Sequence, residues 1–263
     1  MSEIIRSVQK KDVVTSLLHI AFNLVVAFGS MGLVLMFPDT PWPAIALVVV
    51  SKYRIFAVKP RFWIPNLLSN LTDFIFCAGI VVLVWGAGQS AVETWSLVYQ
   101  IVLTTLYAVW LIVLKPLTKP APVLLQAGIS QFVGLMALFS VASQIPAPLA
   151  VLICFGIGFS VARHVLMLHK EPQYTIIALM WAIIVAELGF ISFHWTITYG
   201  MGLVKIPEIA VIITILSFVI EKFYSSFRRN DGRIKQSEVT LPAMFGTIFL
   251  LALLIFFSGL TNF

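Results

Sequence analysis

The chain has 263 residues, 60% hydrophobic and 11% charged, with a mean hydropathy of +1.02. Soluble domains are about 45–50% apolar and about 25% charged, so a water-soluble globule is excluded. Long apolar blocks between short polar breaks predict instead an all-α integral membrane fold. The net charge of +6 marks topology and not a nucleic-acid surface: all of the 17 basic residues except Lys205 gather at every second break, the positive-inside pattern.

Nine spans are expected, at 13–37, 41–57, 64–86, 92–114, 121–142, 146–168, 173–197, 205–226 and 241–260. They make residues 1–263 a single transmembrane domain, multi-pass in the cell membrane, with the N-terminus cytoplasmic and the C-terminal Gly-Leu-Thr-Asn-Phe outside. The first apolar run follows Arg6, Lys10 and Lys11 as a signal peptide would. It is too long for an ordinary signal core, so a retained span is expected. The second run reaches only from Trp42 to Val50 before Lys52 and Arg54 intervene. Two long basic side chains can snorkel to the interface while the helix continues. A re-entrant loop there would place the 52–61 cluster outside, so spanning is expected.

Pro-Trp-Pro-Ala (41–44), Pro-Ala-Pro-Val (120–123) and Pro-Ala-Pro-Leu (146–149) read as helix starts, where a missing N–H costs nothing. Trp42, Trp63, Trp85, Trp95, Trp110 and Trp195 fall near span ends, as in an interfacial aromatic belt. The longest cytoplasmic loop is expected at 221–240, with a turn at Asn230-Asp231-Gly232. Its basic residues suit anionic lipid headgroups, so membrane lipids are the expected partners, with other membrane subunits as a second class and nucleic acid excluded. Cys77 and Cys154 both lie in apolar blocks and read as buried free thiols.

Polar residues inside the spans are the only pointers to function. A charge at mid-bilayer costs about 2.5–3.5 kcal/mol on insertion scales, so such residues favour a protein interior or a wet cavity. Glu187 is the clearest case, ~20 Å into a ~30 Å core when counted at 1.5 Å per residue from Tyr174. His194 follows on nearly the same face, seven residues on, at the outer interface. Asn66, Asn70, Asp73 and Cys77 form one face of the third span. His19 and Asn23 in the first span and Gln126 and Ser130 in the fifth repeat the spacing. Together these faces could line a vestibule, or serve as interhelical hydrogen-bonding groups.

No motif for a metal, a cofactor or a catalytic residue set emerges. Only four histidines are present, so the multiple histidine boxes of membrane desaturases are absent, and no Walker loop occurs. Three functions stay open. A small proton-coupled permease would use Glu187, Asp73, His19, Asn23, Asn66, Asn70 and His194 as its pathway. A non-catalytic subunit or assembly partner needs no special residues. A lipid-modifying enzyme would use the rim residues Arg163, His164, His169 and Lys170.

Overall fold

The computed structural model describes residues 2–89, 93–195, 197–201 and 204–256, with the backbone alone for 2–13, 93–94, 200–201, 204, 254 and 256. The helices are α1 (Ser2–Met36), α2 (Trp42–Ser51), α3 (Trp63–Gly88), α4 (Glu93–Val109), α5 (Pro120–Ser140), α6 (Ala147–Leu168), α7 (Tyr174–His194), α8 (Glu208–Arg229) and α9 (Gln236–Phe256). A two-stranded antiparallel hairpin, β1 (Thr198–Met201) and β2 (Val204–Pro207), joins α7 to α8.

Among the described residues, eight helices are long and apolar enough to cross a membrane. Their outward side chains are large and apolar, among them Leu18, Val25, Ile64, Leu152, Met180 and Ile255. In water such a surface would aggregate; in lipid it is the solvent-matched face. The protein is therefore an all-α, multi-pass membrane protein.

The second expected span is a shorter object. α2 has 10 residues, a rise of about 15 Å, which is half of a hydrocarbon core. After it the chain continues as short 3₁₀ turns at Tyr53–Ile55 and Pro60–Phe62 before α3 begins. The three Pro-containing starts all open helices, α2, α5 and α6. The expected long loop is mostly helical, because α8 runs to Arg229 and α9 starts at Gln236. The turn between them falls where the sequence places it, with Asp231 and Gly232 at positive φ and the Gly232 N–H donating to Phe227 O. The expected end of the last span at 257–260, and the C-terminus, lie outside the described residues.

The chain divides into two compact units, 1–58 with 80–117, and 59–79 with 118–263. In the first, α2 packs on α1 through the buried Ala44 and Val48, and Gly29 lets Leu47 approach. α4 lies antiparallel to the last turns of α3: Ser96 Oγ donates to Ala87 O and Gln100 Nε2 to Val84 O, four residues further along one helix and three back on the other. α4 is antiparallel to α1 as well. Its N-terminal turn shares a recess with Val34 and Leu35, while Leu111 near its other end accepts from Asn23 Nδ2 at 3.5 Å. Beyond Val109 the helix loosens to a π segment, Trp110–Leu114.

The second unit is built on a seam of small residues. Cys154 and Gly158 on α6 face Gly189, Val185 and Ala182 on α7, close enough that a Cβ on Gly189 would lie 2.5 Å from Cys154 Sγ. Such close approach replaces the hydrophobic effect as the driving force between helices in lipid. The first part of α3 crosses α6 through a hydroxyl pair, Thr72 and Ser160 at 3.0 Å, and through Arg163, which donates to Leu68 O at 2.9 Å. Leu135, Leu138, Ile157, Val185, Ile209 and Ile213 close the core beside the hairpin. That hairpin is missing from the expected elements: β1 falls in the break between the seventh and eighth expected spans, and most of β2 falls within the eighth. Of the belt tryptophans, Trp42, Trp63, Trp95 and Trp195 are exposed, whereas Trp85 and Trp110 are buried. Trp85 turns inward because its Nε1 donates to Pro38 O at 2.8 Å.

Candidate functional site

The ionisable and amide residues singled out from the sequence fall in different surroundings. Glu187 is exposed on α7, on the side away from the α6 seam. His194 is exposed too, its Nδ1 2.9 Å from Phe190 O and its ring 4.5 Å from that of Phe190. His19 is exposed on α1 and Asn23 half-buried. On α3, Asn66 and Asn70 are half-buried and joined by Asn70 Nδ2 donating to Asn66 O at 2.8 Å. Asp73 is half-buried and accepts from Cys77 Sγ at 3.5 Å. Gln126 and Ser130 are buried on α5.

Two recesses are more informative than any of these singly. In the first unit a vestibule of about 640 Å³ lies where α1 and α3 end and α4 begins. Pro38 O accepts there from both Trp85 Nε1 and Gln89 Nε2, each at 2.8 Å. Below it α4 presents Ser96, Gln100, Thr104 and Tyr107 on one face, all at most 7% exposed. Their i, i+4, i+8, i+11 spacing was available in the sequence, but uncharged residues scattered in an apolar span give little contrast.

In the second unit a cleft of about 640 Å³ runs between α5 and α8, with α6 and α9 completing its wall. Its sides are apolar, with Leu124, Phe132, Ile215, Phe218 and Phe245 among them. Its polar floor is Gln131, fully buried, whose Nε2 donates to Ser217 Oγ at 2.9 Å while that hydroxyl donates back to Gln131 Oε1 at 3.1 Å. Glu221 and Lys222 stand at one end, 3.1 Å apart, with His169 Nε2 3.6 Å from Glu221. Along α8 the floor at Ser217 lies four residues, about 6 Å, from Glu221.

Beyond the mouth, Glu171 accepts from the Tyr224 hydroxyl and lies 3.5 Å from Arg228. The Tyr224 hydrogen bond, helped by the Gln173 N–H and by Arg228 against partial desolvation, holds the Glu171 carboxyl below its ordinary value. The rim residues weighed for lipid chemistry serve this scaffold separately. Arg163 points to Leu68 O and the Tyr174 ring, His169 to Glu221, and His164 Nε2 is buried without a hydrogen bond. Among the described residues no three His, Cys, Asp or Glu side chains converge as metal ligands would.

No family model, curated protein or solved structure matches this chain. Its chemistry is therefore read from the two recesses themselves.

Proposed function

We propose that the protein is a small permease of the cell membrane, and that its substrate is an amphipathic molecule with an apolar body and one hydrogen-bonding end. The cleft of the second unit carries this reading. Ligand sites are mostly apolar with a few convergent polar groups, and membrane carriers place theirs near the bilayer midplane. Gln131 and Ser217 supply that polar group between apolar walls, and they bond chiefly to each other, so a ligand can exchange with their mutual bonds at little cost. Mass spectrometry of small molecules retained by the purified protein tests it. Wild type is expected to retain an amphiphile that Gln131→Leu loses at least tenfold, and whose uptake into liposomes falls in parallel. Equal retention by the two proteins would sink the reading.

The same reading includes nine crossings, with the N-terminus inside. α1 and the last turns of α3 are both antiparallel to α4, hence parallel to each other. Two successive long helices with the same direction need the chain to return between them. Residues 37–59, through α2 and its 3₁₀ tail, are the segment that can do so. A reporter fused after Phe263 is then expected to be active only outside the cytoplasm. Cytoplasmic activity would mean that 37–59 turns back without crossing.

A second reading, a subunit of a larger membrane assembly, is favoured by one observation. Glu187 is exposed on a helix face otherwise built of Met180, Ile183, Ile184 and Ile191. A partner chain carrying a hydrogen-bond donor would relieve that exposure in lipid. Native purification as a lone, monodisperse chain counts against it.

A further inference from the structure

We propose that the polar face of α4 carries a chain of water molecules that conducts protons between the vestibule of the first unit and His19. This path uses residues of the first unit alone, so it stands or falls apart from the cleft.

The first observation is an unsatisfied group. Thr104 is 1% exposed, and its Oγ1 is buried with no hydrogen-bond partner. The usual escape of a threonine in a helix is the carbonyl four residues back, and Thr105 next to it takes that route, donating to Ile101 O at 2.8 Å. Thr104 does not. A buried hydroxyl left unpaired costs about 1–3 kcal/mol, and buried water is the common remedy where other polar groups are within reach.

The second observation is where those groups lie. One turn above Thr104 is Gln100, whose Nε2 is committed to Val84 O but whose side chain also lines the vestibule. Gly88 makes this possible, because a Cβ there would lie 2.6 Å from Gln100 Nε2. Below Thr104 comes Tyr107, 1% exposed, and then Leu111 O, which Asn23 Nδ2 reaches at 3.5 Å inside the π segment. Asn23 is one turn from His19 on α1. π segments replace i→i−4 bonds by i→i−5 bonds and recur at functional sites.

Spacing joins the two. Residues four apart on a helix are about 6 Å apart along its axis, which is the span of a single water bonded to both. The path needs one bridging water per turn, not a wide pore. Threonine and tyrosine hydroxyls both donate and accept, so they can sit in such a chain without blocking it. Proton balance is simple. A hydronium in the vestibule gives a proton to the next oxygen, one O–H bond forming as another breaks at each water or hydroxyl. Leu111 O and Asn23 Nδ2 pass no proton themselves and only hold water, by accepting and donating. The last water gives its proton to one His19 ring nitrogen, forming an N–H bond, and the N–H on the other ring nitrogen breaks to release a proton to the far side.

Liposomes loaded with a pH-sensitive dye test this, with a pH step as the only substrate and valinomycin and potassium to balance charge. Wild type is expected to collapse the gradient at least tenfold faster than protein-free liposomes. Thr104→Val, which keeps shape and removes the hydroxyl, is expected to fall to the lipid rate, and Thr104→Ser to stay near wild type. Wild type no faster than lipid, or Thr104→Val as fast as wild type, overturns the proposal. Melting provides a readout independent of flux. A hydrated Thr104 predicts that Thr104→Val melts at or below wild type. A dry, orphaned hydroxyl predicts that it melts higher, and that result overturns the proposal as well.

Discussion

Gly158→Val is expected to unfold the second unit in mild detergent, where wild type stays folded. A Cβ at position 158 would lie 2.8 Å from Val185 Cβ and 3.1 Å from Ala182 Cα. Neither neighbour is the tip of a flexible side chain. Relief requires α6 and α7 to separate, and their seam is the tightest in the unit, with Ala178, Ala182 and Val185 all fully buried. Overpacking ordinarily costs 1–3 kcal/mol. A branched side chain forced between two helix backbones belongs at or above the top of that range, at about 3 kcal/mol. Gly156, two residues away, is the control, because a Cβ there meets nothing within 4 Å. Gly156→Ala is expected to be neutral or to stabilise by up to about 1 kcal/mol through helix propensity. Denaturant titration of the two variants side by side measures the difference. Equal stability would mean that the α6–α7 seam is looser than its geometry.

Glu187→Leu is expected to make the isolated protein more stable, by about 1–3 kcal/mol. The rotation of α7 is fixed by Ala178, Ala182, Val185 and Gly189 against α6, which leaves Glu187 on the opposite face. It lies seven residues, about 10 Å, before the end of the helix. Exchanging a carboxyl for a leucine on a lipid-facing surface removes most of its insertion cost. In reconstituted uptake the same variant is expected to match wild type, since the cleft of the second unit does not include residue 187. Loss of stability in the isolated chain would instead mean that Glu187 makes a stabilising contact within the chain and does not face lipid.

The contrast between these two positions explains how much could be read in advance. Hydrophobic blocks fix where helices run, because burying backbone polar groups in lipid leaves no other structure, and eight of the nine expected spans are long helices. Proline-bearing starts were legible for the same local reason. The hairpin at 198–207 was not, because its first strand fills a break of only seven residues between two expected spans and Lys205-Ile206-Pro207 reads as the start of the next one. Nor was the direction in which each polar residue faces. Glu187 looked like the costliest inward group, yet the small residues that set its helix's rotation point it outward. Gln131 sits next to Ser130 in a stretch that gave no warning of a cleft floor, since its partner Ser217 is 86 residues away. Periodicity reveals a face; only packing reveals what that face meets.

The burial of both cysteines has a practical corollary. Cys154 is wedged under Gly189 and Cys77 is enclosed on α3, each with no exposed surface. Thiol chemistry needs a reagent to reach a thiolate, so the native chain offers electrophilic dyes and spin labels no reactive site while it stays folded. A single cysteine introduced at the vestibule or at the cleft would then report from its own position, with no need to rebuild the seam around Gly189.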